Sequence, residues 1–145
     1  MPRLIRRALP FVLVVLCLGT TAIAGDDAWK LIVNPDNAVT SVSNDFLRKA
    51  YLRKSTEWSD GTAIRPVDLA AKSPVRARFT KDVLKKTPSQ LKSFWNQQIF
   101  SGKGLPPPAV DSAADVVAYV LANPGAIGYV PATADTGRAK VLEVR

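Results

Sequence analysis

Apolar residues are distributed along the chain in two ways. The first is one unbroken run, Leu9–Leu18, preceded by Arg3, Arg6 and Arg7 and followed by Ala22-Ile23-Ala24. A basic leader, a short apolar stretch and an A-x-A site are the parts of a secretory signal peptide, cut before Gly25, and the run is too short to span a bilayer comfortably as a mature helix. Retention as an N-terminal anchor is the alternative. Cys17 follows Leu16, where a lipoprotein signal wants a small residue, so lipidation is not expected.

After Gly25 the apolar residues come in short periodic groups separated by turn signals. Trp29–Val33 is a compact apolar run stopped by Asn34-Pro35-Asp36-Asn37, the pattern of a buried first strand and a turn. Ser43 then caps a helix in which Phe46, Leu47, Ala50 and Tyr51 share a face, with Val42 and Leu47 spaced as a hydrophobic staple. Ser59-Asp60-Gly61 marks a tight turn, and Ala63–Leu69, with Ile64, Val67 and Leu69, predicts one short second strand.

That strand leads through a loop into the next helix. Ser73 is a good N-cap, Pro74 suits the first helical position, and Val75, Phe79, Val83 and Leu84 form the inward stripe up to Lys85 and Lys86. Thr87-Pro88-Ser89-Gln90 has the capping-box pattern, and Leu91, Phe94, Trp95 and Ile99 predict a core-facing aromatic stripe. Ser101–Pro108 is a loop bent by glycines and stiffened by prolines; its Gly102-Lys103-Gly104 lacks the rest of a phosphate-loop fingerprint. Ser112 caps a last helix with Val116, Val117, Val120 and Leu121 on one face, ended at Asn123-Pro124-Gly125. Ala126–Val130 predicts a third strand and Val141–Val144 a fourth, at an edge because it is short. Strands and helices interleave, so the expected fold class is α/β, a small mixed sheet flanked by helices.

Composition then removes several kinds of chemistry. The chain has 145 residues, no histidine and one cysteine, and that cysteine leaves with the signal. Disulfides, thiolate or imidazole metal sites and histidine-based triads are therefore excluded from the exported domain of residues 25–145, and neither a metal nor a cofactor is expected. Asp68 and Asp111 are the carboxylates that sequence order leaves free to meet, but no catalytic pair is signalled, so the chain is expected not to be an enzyme. The net charge is +8; three of the 20 basic residues precede Gly25 and all 12 acids follow it, so the mature balance is 17 − 12 = +5. A moderately basic exported surface suits anions, and export argues against nucleic acid as a partner. No second apolar run is long enough to span a membrane.

The stretch with the most chemical promise is Pro66–Phe79. The helix start at Ser73 presents unpaired backbone N–H groups and a positive dipole end, with Lys72 and Arg76 as cations on either side of the cap. A capped surface helix with a solvated arginine is the plainer reading of the same residues. Ser41 and Ser43 stand at another helix start, where hydroxyls commonly do no more than cap.

Several stretches taken together are more specific. Leu31-Ile32-Val33-Asn34, the serine-capped helix, Trp58-Ser59-Asp60, Ile64–Asp68, Ser73, Phe79-Thr80, Leu84, Trp95 and above all Pro124-Gly125-Ala126-Ile127-Gly128-Tyr129-Val130 resemble, in order and spacing, the phosphate-type substrate-binding proteins of bacterial ABC transporters. The resemblance covers nearly all of the mature chain but one lobe and part of the hinge of that two-lobed, type II periplasmic-binding-protein fold. It implies a periplasmic or secreted protein, a small phosphate-like oxyanion as ligand, and an ABC permease or a second chain as partner. In that family a Ser-Gly-Thr turn and a preceding arginine hold phosphate. Ser73 matches the serine, while Pro74 and Val75 replace the glycine and threonine, and the arginine's place falls near Asp68 or Leu69. Helical spacing, not the family pattern, lets Arg76 point back over the same helix start.

The site expected from this comparison consists of Ser73, Arg76 and Lys72, with Ser41 or Ser43 donating from the facing helix start and Tyr129 lining the cleft. Three charge-assisted bonds at roughly 1.5–3 kcal/mol each give about 5–9 kcal/mol gross, which binding costs reduce to about millimolar affinity. One lobe would therefore bind weakly or with the help of a second subunit. The competing reading is a ligand-free scaffold that kept the fold, lost the anion turn and meets a periplasmic or membrane-associated partner with its basic face.

Overall fold

The computed structural model describes residues 25–145, and the signal-peptide reading of residues 1–24 lies outside the described residues. In chain order the elements are β1 (Trp29–Val33), β2 (Ser41–Val42), α1 (Asn44–Tyr51), β3 (Arg65–Pro66), β4 (Asp68–Leu69), α2 (Pro74–Phe79) continued by a π-helical turn (Thr80–Leu84), α3 (Pro88–Phe100), β5 (Ala109–Val110), α4 (Ala113–Ala122), β6 (Ala126–Pro131) and β7 (Lys140–Val144). This is the expected α/β class, a five-stranded mixed sheet in the order β2-β7-β1-β6-β3, with β4 and β5 as a separate parallel pair.

β1 runs antiparallel to both of its neighbours, β6 and β7. Its side chains Leu31, Ile32 and Val33 are buried in succession, as a strand covered on both faces requires. All four expected helix caps are present: Ser43, Ser73 and Ser112 accept from the third residue of their helices, and Thr87 and Gln90 form a reciprocal capping box. The staple residues Val42 and Leu47 are both buried, and the stripe Val75, Phe79, Val83 and Leu84 faces the core throughout.

Three expectations are corrected. Ala63–Leu69 is not one strand. The N–H groups of Arg65 and Val67 bond to the carbonyls of Gly125, just before β6, and Ile127, within it, whereas the N–H of Asp68 bonds to Pro108, just before β5. Pro66 lacks a donor where the strand has no neighbour, which costs no ladder bond and suits the sheet edge. β7 is not an edge strand, because β2 pairs with it in parallel and Arg145 and Asn44 extend the ladder; two residues are too few for periodicity to reveal. The stripe of α3 is also shorter than expected. Leu91 and Trp95 are buried, Phe94 packs edge-on against Trp95 with centroids 4.9 Å apart, but Ile99 is 49% exposed because the last turn of the helix runs past the core.

Two polar or small residues fix the packing of α4. Asn34, buried just after β1, donates through Nδ2 to the Val120 carbonyl at 3.0 Å and faces those of Leu121 and Asn123 at 3.4 Å, so that it serves the last turn of α4, whose carbonyls lack partners within the helix. Gly128 on β6 lies against the same helix. A Cβ there would come within 2.6 Å of Val116 Cγ1, 3.0 Å of Val67 Cγ1 and 3.2 Å of Val120 Cγ2. The strand and the helix approach closely only because this position has no side chain. Gly128→Ala is therefore expected to destabilise the fold by about 1–3 kcal/mol through overpacking, read as a lower denaturant midpoint at unchanged m-value.

Candidate functional site: the loop from β4 into α2

Asp68 and Leu69 leave β6 for β5, and the chain turns through Ala71 and Lys72 to the cap at Ser73. Ser73 Oγ accepts from the Arg76 N–H at 3.3 Å and its carbonyl accepts from the Ala77 N–H. Pro74 has no N–H, so Val75 carries the one first-turn amide that finds no acceptor among the described residues. Lys72 is exposed on the turn beside the cap.

The Arg76 side chain turns back toward the end of β4. Its Nη1 donates to the Leu69 carbonyl at 2.8 Å and its Nη2 lies 3.3 Å from Asp68 Oδ2. Asp68 is only 8% exposed and is held from three sides: by Arg76, by the Tyr129 hydroxyl, which donates to Oδ1, and by the Leu69 N–H at 3.0 Å. Burial pushes the Asp68 carboxyl above its usual range, and Arg76, Tyr129 and the Leu69 amide pull it part of the way back. Tyr129 is pushed far above the ordinary phenol range, first by burial and then by the negative charge of Asp68, so it stays a hydrogen-bond donor.

The expected site residues are thus only partly brought together. Ser73, Arg76 and Lys72 form one cluster. Tyr129 belongs to it through Asp68, yet it is 0% exposed and stacks on Phe79 at 3.8 Å and 6°, so it lies beneath the loop and not on the wall of an open cleft. Ser41 and Ser43 border a separate hollow of about 250 Å3 with Val39, Phe46 and Trp58, which has no residue of the Ser73 loop in its wall. Ser43 Oγ there accepts from the Phe46 N–H. The carboxylate partner of Arg76 was not foreseen: Asp68 pairs with this arginine and not with Asp111, and eight residues separate the two across a turn, a spacing that no local rule picks out.

Among the described residues no group of three or more metal-ligating side chains occurs, and no helix is long and apolar enough to cross a membrane. The arrangement leaves the Val75 N–H, the Ser73 hydroxyl and the Lys72 ammonium together at one helix start, with no nucleophile beside a base among the described residues of this loop.

No family model and no curated protein matches the chain. Solved structures do. An ABC-type phosphate transport receptor from Vibrio cholerae superposes with a TM-score of 0.65 at 20% identity, over 80% of this chain and 45% of the receptor. PstS from Borrelia burgdorferi gives 0.64 at 15%, over 81% and 47%, and a phosphate ABC transporter substrate-binding protein from Clostridium perfringens, solved with bound phosphate, gives 0.63 at 19%, over 82% and 46%. The fold is that of the phosphate-type substrate-binding proteins. The chain spans under half the length of these solved proteins.

The raised Asp68 carboxyl has a consequence for stability. The folded chain keeps this proton to higher pH than the unfolded chain, so the stabilisation is complete below the ordinary value of 3.8 and is lost as pH rises through the elevated folded value. Relative to Asp68→Asn, the wild type is expected to lose stability as pH rises above the ordinary carboxyl value of 3.8, which paired thermal melts over a pH series measure.

Proposed function

We propose that the exported chain is a non-enzymatic, substrate-binding module of the phosphate type, which takes a small oxyanion at the Ser73–Arg76 helix start. The observation that carries the reading is the likeness of fold to phosphate-binding proteins together with a guanidinium held against the end of β4, beside the loop that leads to a capped helix start. In this reading Arg76 supplies the charge, the Val75 N–H donates to an anion oxygen, the Ser73 hydroxyl donates while its lone pair keeps the cap, and Lys72 raises the local positive potential. Ser41 and Ser43, at another hollow, would serve a second subunit or remain caps. The signal peptide would be cut before Gly25, with the mature domain, residues 25–145, acting in the periplasm or outside the cell.

The Asp68 carboxylate sets the strength. It offsets most of the charge of Arg76 before any ligand arrives, and a single lobe encloses an ion from one side only, so affinity in the millimolar range follows. A second chain or an ABC permease would complete the shell. The ligand-free scaffold differs in its expected response to anions.

Sulfate at ten times its dissociation constant is expected to stabilise the protein by about 1.4 kcal/mol, a rise of several degrees in Tm. Arg76→Ala should abolish that rise. Asp68→Asn, which removes the competing carboxylate, should tighten sulfate binding about tenfold, or ~1.4 kcal/mol. No anion-dependent rise at matched ionic strength in any of the three proteins would support the scaffold.

A further inference from the structure

Arg76 also borders a larger space. Between α2 and α3 lies a hollow of about 400 Å3, walled by Pro88, Leu91, Trp95 and Pro106, with Arg76 on one side and Lys92 on another. That volume falls within the roughly 300–1,000 Å3 of sites that hold small organic ligands, and a water molecule takes up only about 30 Å3 in the liquid. A bare tetrahedral oxyanion would leave most of the space to water against apolar walls. The two cations are placed differently from each other: Arg76 is already engaged by Leu69 and Asp68 but has N–H donors of its fork to spare, while Lys92 is exposed on α3. With the charge of Arg76 largely offset, attraction by charge alone is weak, and a ligand gains most by also covering Ala77, Pro88 and Pro106, the exposed apolar part of the wall, since Leu91 and Trp95 at its floor are already buried.

We propose that this hollow binds an organic anion, an aryl or short alkyl phosphate or carboxylate, with its anionic head between Arg76 and Lys92 and its apolar body against Pro88 and Pro106, above the buried Leu91 and Trp95. The inference rests on the oxyanion reading of Arg76 and extends it from an inorganic ion to an organic one. Charge selects the head and the apolar wall selects the body. A neutral aromatic lacks the first interaction, and inorganic phosphate lacks the second. Ala77, exposed on α2, also lines the hollow, so a large side chain there fills the space without entering the core.

The test is calorimetric titration of the protein with phenyl phosphate, inorganic phosphate and phenol at matched ionic strength, followed in parallel by amide and indole chemical shifts. Phenyl phosphate should bind at least tenfold tighter than inorganic phosphate and shift Leu91 and the Trp95 indole. Ala77→Phe should reduce phenyl phosphate to the level of inorganic phosphate and leave the latter unchanged. Should that variant fail to fold, Lys92→Gln should weaken phenyl phosphate several-fold. Equal affinity for both phosphates, with shifts confined to Lys72–Ala77, would overturn the organic-anion proposal and leave the oxyanion reading standing. Absence of saturable shifts with either anion would overturn both. Phenol binding as tightly as phenyl phosphate and indifferent to Arg76→Gln would make the hollow a purely apolar site and overturn the proposal. So would shifts of Leu91 and Trp95 on simple dilution without ligand, which would assign the hollow to a second copy of the chain.

Discussion

A buried carboxylate needs partners, and that need organises the loop at the centre of this molecule. Asp68 stands where the chain leaves the main sheet, and its two oxygens are answered by Tyr129 from β6, by the next residue's N–H and by Arg76 from the first turn of α2. One group thereby ties strand, loop and helix together. Because both partners of the Asp68–Arg76 pair are largely withdrawn from water, removing either one strands the other, a loss of a few kcal/mol, although the pair itself adds little net stability. The same contact that holds the arginine against the end of β4 also offsets its charge.

This dual role explains how the module departs from a phosphate-binding turn. With Pro74 and Val75 after the capping serine, the helix start contributes one unpaired amide, and the arginine comes from within the helix instead of from the loop. The likeness of fold extends over about 80% of the chain and under half of each of these solved proteins.

Much of this architecture was legible in the residues. The caps at Ser43, Ser73, Thr87 and Ser112, the buried runs of β1 and β6 and the inward face of α2 depend on neighbours within four positions, where sequence rules are strong. The features that escaped depend on partners far away. Val67 marks a change of sheet because Pro108 waits on one side and Ile127 on the other, and β2 exists only because β7 pairs with it. Asn34, in a turn signal, proves to be the clasp of α4, and the glycine of the Ile127-Gly128-Tyr129 motif is explained by three valines from other elements. At the site, Ser73 and Arg76 could be placed together by helical spacing, whereas the burial of Tyr129 and the pairing of Asp68 required the sheet.

The central claim is that the Ser73–Arg76 helix start is an oxyanion half-site, and the most direct measurement is an amide chemical-shift titration with sulfate and phosphate against a neutral control at constant ionic strength. The account predicts saturable shifts in the millimolar range clustered on Lys72–Ala77, absent from Arg76→Ala. Flat or merely salt-like shifts there, or saturable shifts confined to Ser41–Asp45, would contradict it.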